Sequence, residues 1–314
     1  MFLANKKILL LKRESVFGQD PTPTVSANAI DASAIKFDYQ GDLLTRDSLR
    51  GSLSRPQPIM GAKWAEISFT CELKGGGTKG TAARIGDALV ACGFAETVSA
   101  GSSVTYQPAD TGFLSATLYF YEQQDTGNCR LHKITGARGD VSLNMEAGKF
   151  GTLEFKFSGA YNAPSESADP SAPTYESTLP PIVESSTFTL NSVSTLIAQA
   201  IKIAMNNEVV KRDDINSPSG LMGFLITGRK PSGTINPESV LAATHDFYGD
   251  WAAATARALS VVVGSASGNK ITITAPKLVI EKLGAGERTG IRTEDVQFAL
   301  AINSAHDELV IKFE

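Results

Sequence analysis

Between residues 64 and 73 the chain reads WAEISFTCEL. Ala65, Ile67, Phe69, Cys71 and Leu73 fall on one side of a two-residue period, and Trp64, Glu66, Ser68, Thr70 and Glu72 on the other. That alternation predicts a strand with one buried face. After a glycine run, Ile85, Ala88, Leu89 and Cys92 recur at helical spacing. They predict a short helix with Thr81 as N-cap and Gly93 as its stop. Further strands are expected over 103–107, 115–123 and 129–135. Val141, Leu143 and Met145 then alternate, Gly148 turns the chain, and Leu153, Phe155 and Phe157 alternate back, which is the pattern of an antiparallel hairpin.

The stretch 162–184, NAPSESADPSAPTYESTLPPIVE, carries five prolines and four acidic residues with no lysine or arginine. It reads as an extended, solvated linker between a domain at 1–161 and a second at 185–314. The second part repeats the layout of the first. Strands are expected near 187–190 and 195–205, then in the segment GFLITGRKPSG from Gly223. A helix follows at about 246–258 with Phe247, Trp251, Ala254 and Ala258 on one face. A hairpin links LSVVV to KITIT through GSASGN, and the closing strands end in Leu309, Ile311 and Phe313. The segment 196–205 fits helical and strand periods almost equally; strand is the reading adopted, by correspondence with the first part. Identity between the parts is negligible, so the repeat is one of layout: a mainly β (α+β) chain in two antiparallel β domains, each with one short helix.

The glycine run KGGGTKGT (74–81) raises the question of a phosphate site. A phosphate-binding loop needs G-x-x-x-x-G-K-[ST], because the lysine and hydroxyl must reach the terminal phosphates and the metal. Gly75 and Gly80 have the right separation, but Thr81 and Ala82 follow them. Gly75, Gly77 and Gly80 also fit G-x-G-x-x-G, without the acidic residue and parallel βαβ setting that a dinucleotide site requires. The loop reads as structural, with no nucleotide cofactor expected.

The remaining chemistry is sparse. Net charge is −4 from 29 basic and 33 acidic residues, so nothing drives the whole surface onto nucleic acid. The cysteines, Cys71, Cys92 and Cys129, are too few and too widely spaced for a disulfide scaffold or a CxxC metal site, and Cys71 and Cys92 read as small buried hydrophobes. His132, His245 and His306 form no short-range metal cluster, and GSASG has alanine where a nucleophile elbow has serine. Acidic pairs such as Asp213–Asp214 and Glu294–Asp295 read as solvated carboxylates. The four-residue apolar run Ile8–Leu11 is too short for a secretory segment, no stretch approaches the length of a membrane span, and folding in a reducing cytoplasm is expected. Two long polar loops stand out: 43–58 with Arg46, Arg50 and Arg55, and 211–220 with Lys211, Arg212, Asp213 and Asp214. The first has no aromatic residues for stacking on bases, so a protein partner is favoured for it.

A β-rich chain with long loops and no catalytic cluster suits a self-assembling component, whose exposed strand edges a closed ring would cover. Several stretches carry a family resemblance: KRESVFGQDPTPTVSANAI, ELKGGGTKGT with LVACGF, LHKITGARGDVSLNMEAGKFGTLEFKFSGAY, NNEVVKRDDINSPSGLMGFLITGRKPSG and the terminal DELVIKFE. Together the chain resembles the major tail tube proteins of long-tailed, non-contractile bacteriophages. The resemblance implies two tail-tube-like antiparallel β-sandwich domains, and rings of six tube domains, hence three chains, stacked into a virion tail tube. Six chains with a decorative second domain is the alternative stoichiometry. The implied partners are further copies of the chain, a tape-measure protein, tail-end proteins, and double-stranded DNA that passes through without specific binding. Assembly in the host cytoplasm is implied, and no cofactor or metal is. Loops 43–58 and 211–220 are then candidates for ring stacking, the glycine run for ordering against a neighbouring subunit, and Glu66, Glu72 and Glu154 for an acidic lumen. A different class, a surface-binding β module for carbohydrate or receptor, or an enzyme, stays open from the residues alone.

Overall fold

The computed structural model describes residues 1–125 and 127–314. In chain order, β1 (Phe2–Arg13) and β2 (Ala29–Ile30) precede the long pair β3 (Ala32–Leu44) and β4 (Ile59–Glu72). Helix α1 (Gly86–Ala91) leads to β5 (Phe94–Ser99), β6 (Ser103–Pro108), β7 (Ala116–Gln124), β8 (Asn128–Glu146) and β9 (Thr152–Tyr161). Strands β10 (Ser165–Ala168), β11 (Thr187–Leu190), β12 (Ala198–Ala204), β13 (Asn207–Asp213), β14 (Leu221–Arg229) and β15 (Ser232–Pro237) follow. Helix α2 (Phe247–Ala252), β16 (Arg257–Val263), β17 (Ile271–Arg288), β18 (Ile291–Ala301) and β19 (Val310–Phe313) complete the chain.

The ladders join eight strands in one continuous antiparallel path, β3-β4-β9-β8-β12-β15-β18-β17. Four come from each part of the chain, and the β8–β12 ladder, Ala200↔Glu146 to Ala204↔Ser142, is the seam between them. The two four-strand groups repeat in register as well as in order. Moving 166 residues along the chain carries Phe37↔Ile67 onto Ile203↔Gly233 and Leu43↔Met60 onto Val209↔Ile226 (37 to 203, 67 to 233, 43 to 209, 60 to 226). The register slip after Gly41 in the first hairpin recurs after Glu208, one residue beyond the equivalent of Gly41. Bulges re-aim strands and are built-in features, so this coincidence is stronger evidence of a repeated unit than strand order alone.

β8 and β17 are long because each serves two layers. The first half of β8 pairs with β7, and β17 begins against β16, before both run into the eight-strand path; each changes register on the way, between Thr135 and Arg138 and between Ile280 and Lys282. Strands that switch sheets at bulges are how β layers turn a corner. The layers then face one another: Phe37 of β3 stacks on Phe120 of β7 with ring centroids 5.8 Å apart. The core they enclose is the one the alternation predicts, with Ala65, Ile67, Phe69 and Cys71 of β4 and Leu153, Phe155 and Phe157 of β9 all buried. The second part supplies Ile201, Ile203, Ile235, Val296 and Phe298 to the same apolar cluster, so a single core crosses the seam. The 196–205 segment is a strand, and the β8–β9 and β16–β17 hairpins form as expected.

Several expectations need correction. Thr81 does not cap α1: the N-cap is Ile85, which makes no side-chain cap, and burial holds the six-residue helix in place, with Ala88 to Ala91 all inside. Gly93 does end it, at φ +89°. α2 is also only six residues long, capped by Asp246, which accepts from the Gly249 N–H at 2.8 Å. Trp251 is 50% exposed and Ala258 lies in β16, so the apolar stripe expected over 246–258 does not exist; Phe247 alone is the anchor. Glu294 is buried rather than solvated, accepting from Ser239 Oγ at 2.8 Å and from the Tyr248 hydroxyl. The polar stretch 162–184 is extended but contains β10, four residues laid along β8.

The glycine run orders against the chain's own second part. The Gly77 N–H donates to Gly268 O at 3.2 Å and the Gly75 N–H to Asn269 Oδ1 at 2.8 Å, so the loop seats on the β16–β17 turn. A Cβ at Gly75 would lie 2.3 Å from Gly268 O, and one at Gly268 would lie 2.5 Å from Gly77 C. Two backbones touch here, which only glycine permits. That is why this sequence imitates a phosphate loop. The same turn is fixed from a second side by Asn269 Nδ2 donating to Leu179 O at 2.8 Å. β19 adds another tie by pairing with β6, Ile311↔Tyr106 to Phe313↔Val104.

Candidate assembly surface

One face of the eight-strand path closes on the core and most of the other is bare. It is covered at Arg138, in the row of Asp38, Glu66 and Ser158, where that arginine is buried under Phe17 and β14. On the bare face, cross-strand neighbours are polar or small: Asp38 beside Glu66, Lys36 beside Ser68 and Lys156, Glu154 beside Ser142, and Lys202 between Asn144 and Thr234. Carboxylates of Asp38, Glu66, Glu72, Asp140, Glu146, Glu154 and Asp295 outnumber the cations Lys36, Arg138, Lys156, Lys202 and Lys282 there. Glu66 and Glu154 are exposed, whereas Glu72 is partly spent on the Lys74 ammonium at 3.1 Å. Asp140 is half-buried; burial pushes its carboxyl above the usual range, while the Asn207 N–H at 2.9 Å favours the carboxylate.

Both ends of the path carry unpaired backbone. Among the described residues β3 pairs only with β4, and β17 beyond Ile280 pairs only with β18. Exposed edges of this length are templates for strand addition unless blocked. Neither edge carries a proline: Pro276 precedes the free stretch of β17.

Four antiparallel steps separate β3 from β12, so both strands run the same way, and the hairpins that continue from them project from the same rim. The first tip, 45–58, carries Arg46, Arg50 and Arg55, all exposed; Arg50 Nε donates to Ser48 Oγ at 3.0 Å. Among the described residues no ion pair joins these three arginines to a carboxylate. Apolar side chains stand out in the same hairpin: Leu49 and Leu53 are fully exposed and Leu43, Leu44, Ile59 and Met60 about half so. The second tip, 214–220, exposes Ile215. Its Asp214 carboxylate accepts from the Asn216 N–H at 2.9 Å, a local turn bond. Asp213 and Arg212 are exposed at the end of β13. Lys211 points back instead. Its ammonium pairs with Asp42 of β3 at 2.7 Å, lies over the Trp64 ring and is held above its usual range chiefly by the hydrogen bond to Asp42. The two candidate loops are therefore neighbours, coupled at their bases.

Most residues at the seam carry no signal in the sequence. Beyond β12 the Met205 N–H continues the ladder to Val141 O at 3.0 Å. The Asn207 amide then donates to Cys92 O at 2.7 Å and Gly139 O at 3.0 Å, tying the end of α1 to β8. Ile226 of β14 covers Gly93 just beyond that helix, 3.3 Å from where a Cβ would stand. Arg138 is buried and donates to Phe224 O at 3.0 Å and Phe113 O at 3.1 Å, with its guanidinium over the Phe17 ring. The Asn206–Asn207 pair could have been read as a break between strands, since asparagine tolerates the left-handed backbone that Asn206 adopts (φ +49°).

The three cysteines are buried and unbridged, and burial pushes the Cys71 and Cys92 thiols up. Among the described residues no cluster of His, Cys, Asp and Glu is arranged to hold a metal, and no helix is long and apolar enough to cross a membrane. His132 serves the fold, buried between the Tyr39 hydroxyl at 2.8 Å and Glu122 at 3.1 Å. A search of curated proteins gives no match. A comparison with family models matches residues 4–300 to one described as phage tail tube protein.

Proposed function

The chain belongs to the phage tail tube protein family, and on that premise we propose that three copies close into a ring and that rings stack into the tail tube through which the genome leaves. The observation that carries this reading is the repeated register within the eight-strand path. Each chain then supplies two tube units, 1–161 and 185–314, joined by the 162–184 segment, where a single-unit relative would supply one. Three such sheets placed edge to edge make a barrel of about 24 strands, above the strand number at which a barrel holds an aqueous channel. A single eight-strand sheet closed on itself would be filled by its own side chains.

The bare face suits the inside of such a channel. It is polar, short of aromatic rings, and carries more carboxylates than lysines, so a DNA phosphate meets like charge on a wall with few cations to grip it. The core face already packs against the outer layer. The hairpin tips 45–58 and 214–220 project along the barrel axis from one rim; the exposed leucines and arginines of the first, with Ile215 of the second, supply apolar area and charge for the next ring. Tape-measure and tail-end proteins would meet the lumen and the terminal rings.

Sedimentation of the purified protein followed by negative-stain electron microscopy tests the reading. Rings or filaments with a central channel are expected. A protein that remains monomeric at every concentration and salt tried would overturn it and reopen the surface-binding alternative.

A further inference from the structure

The seam inside the chain is a template for the contact between chains. At the seam, the first strand of one four-strand group, β12, adds to the second half of β8, the last strand of the other. The group order leaves the equivalent of β12 free at one end of the molecule, which is β3, and the equivalent of β8 free at the other, which is the second half of β17. The geometry points to antiparallel addition of β3 of one copy to β17 of the next, in the register of the internal seam. This inference rests on the ring reading above and goes beyond it by fixing the edges, their direction and their alignment.

The register follows from two shifts. The hairpin shift of 166 residues turns Ile203 into Phe37 and Ala204 into Asp38. The β8–β9 ladder maps onto the β17–β18 ladder when β8 moves by 142 and β9 by 141: Val141↔Phe155 becomes Leu283↔Val296, and Leu143↔Leu153 becomes Ala285↔Glu294. The seam pairs Ile203↔Leu143 and Ala204↔Ser142 then become Phe37 opposite Ala285, and Asp38 opposite Gly284, of the next copy.

Three further observations agree. The faces match, because Phe37 and Ala285 both lie on the core side and Asp38 and Gly284 both on the bare side. The receiving edge is the small-residue run Gly284-Ala285-Gly286, which lets a strand approach closely. The cover also matches. Within the chain Ile226 lies against the residue that follows α1, and the 166 shift turns Ile226 into Met60, which is half exposed, while α2 offers the half-exposed Trp251 beside the free edge, its indole donating to Glu281 O at 3.3 Å. Apolar surface that is covered at the seam is thus bare at both ends of the chain.

The test is the double variant Asp38→Cys with Gly284→Cys, in a protein whose own cysteines are buried. Within one copy these positions are seven strand spacings apart, about 33 Å, so no disulfide can form inside a chain. Mild oxidation of assembled tubes should give covalent dimers and trimers, ending at the trimer; each single variant, and Asp38→Cys with Thr289→Cys, should give none. Wild-type tubes supply a second readout: amide exchange at 33–40 and 282–288 should slow sharply on assembly. Tubes that form without cross-linking and without that protection would overturn the edge assignment and leave the tube reading standing. Failure of the wild-type chain to form rings would overturn the tube reading itself.

Discussion

Gly75 and Gly268 show how one atom decides a fold. Each sits where a Cβ would enter the other loop's backbone, and backbone cannot move aside as the end of a flexible side chain can. Gly268 also has φ +80°, a conformation that alanine adopts only with strain. Gly75→Ala and Gly268→Ala should each cost about 1–3 kcal/mol, read as a lower denaturant midpoint, whereas Gly101→Ala, with open space around it, should cost only its positive-φ strain. Equal losses at all three positions would mean that the clasp does not form. Glu314 gives the pH counterpart. Hydrogen bonds from Lys270 and Lys312 hold its carboxyl down to about 2, against an ordinary 4.5. A depressed carboxyl stabilises the fold above its unfolded value, and that contribution is lost as pH falls from 4.5 through about 2. Glu314→Gln should flatten this part of the acid-unfolding curve while leaving neutral stability lower than wild type. An acid limb identical to wild type would remove the Lys270–Glu314–Lys312 cluster from the account.

Among the elements, what the sequence made legible depended on whether an element carries its own period. β4 and β9 alternate cleanly and were readable residue by residue. The run Ile8–Leu11 in β1 is buried on both faces, so it has no period to read. β10 is Ser-Glu-Ser-Ala and forms because β8 offers an open edge, which no local pattern reveals. The helices are shorter than their sequence pattern predicts: burial sets α1, which has no side-chain cap, whereas α2 is capped by Asp246 and anchored by Phe247. The candidate loops were visible as long polar stretches, but their adjacency, set by Lys211 and Asp42, was not. At this scale the stacking hypothesis makes a direct prediction. Arg46→Ala, Arg50→Ala and Arg55→Ala together should leave the melting temperature unchanged, since none contacts the fold, yet shorten or abolish tubes in micrographs. Tubes of normal length from that variant would take this loop out of ring stacking. The Lys211–Asp42 pair is solvent-screened and contributes little to stability. Lys211→Ala should therefore spare stability but speed amide exchange through β13 and β14; unchanged exchange would show that Lys211 does not couple the hairpins.

For the whole molecule, the repeated register of the 314-residue chain is proposed to mark two ring units. On that proposal, the carboxylates of the bare face would present like charge to DNA in the channel. Assembled tubes should therefore show no retention of duplex DNA in a gel shift at physiological salt, and micromolar retention would require a different physical basis for passage. The repeat was legible as layout and its register was not, because register lives in pairings between distant residues. The central claim is that one chain fills two of six places around the ring. Cryo-electron microscopy of the assembled tube, counting chains per ring, tests it most directly. Three chains with alternating, non-identical units around a barrel of about 24 strands is the result expected; six chains per ring, with residues 185–314 standing outside the barrel wall, would contradict it.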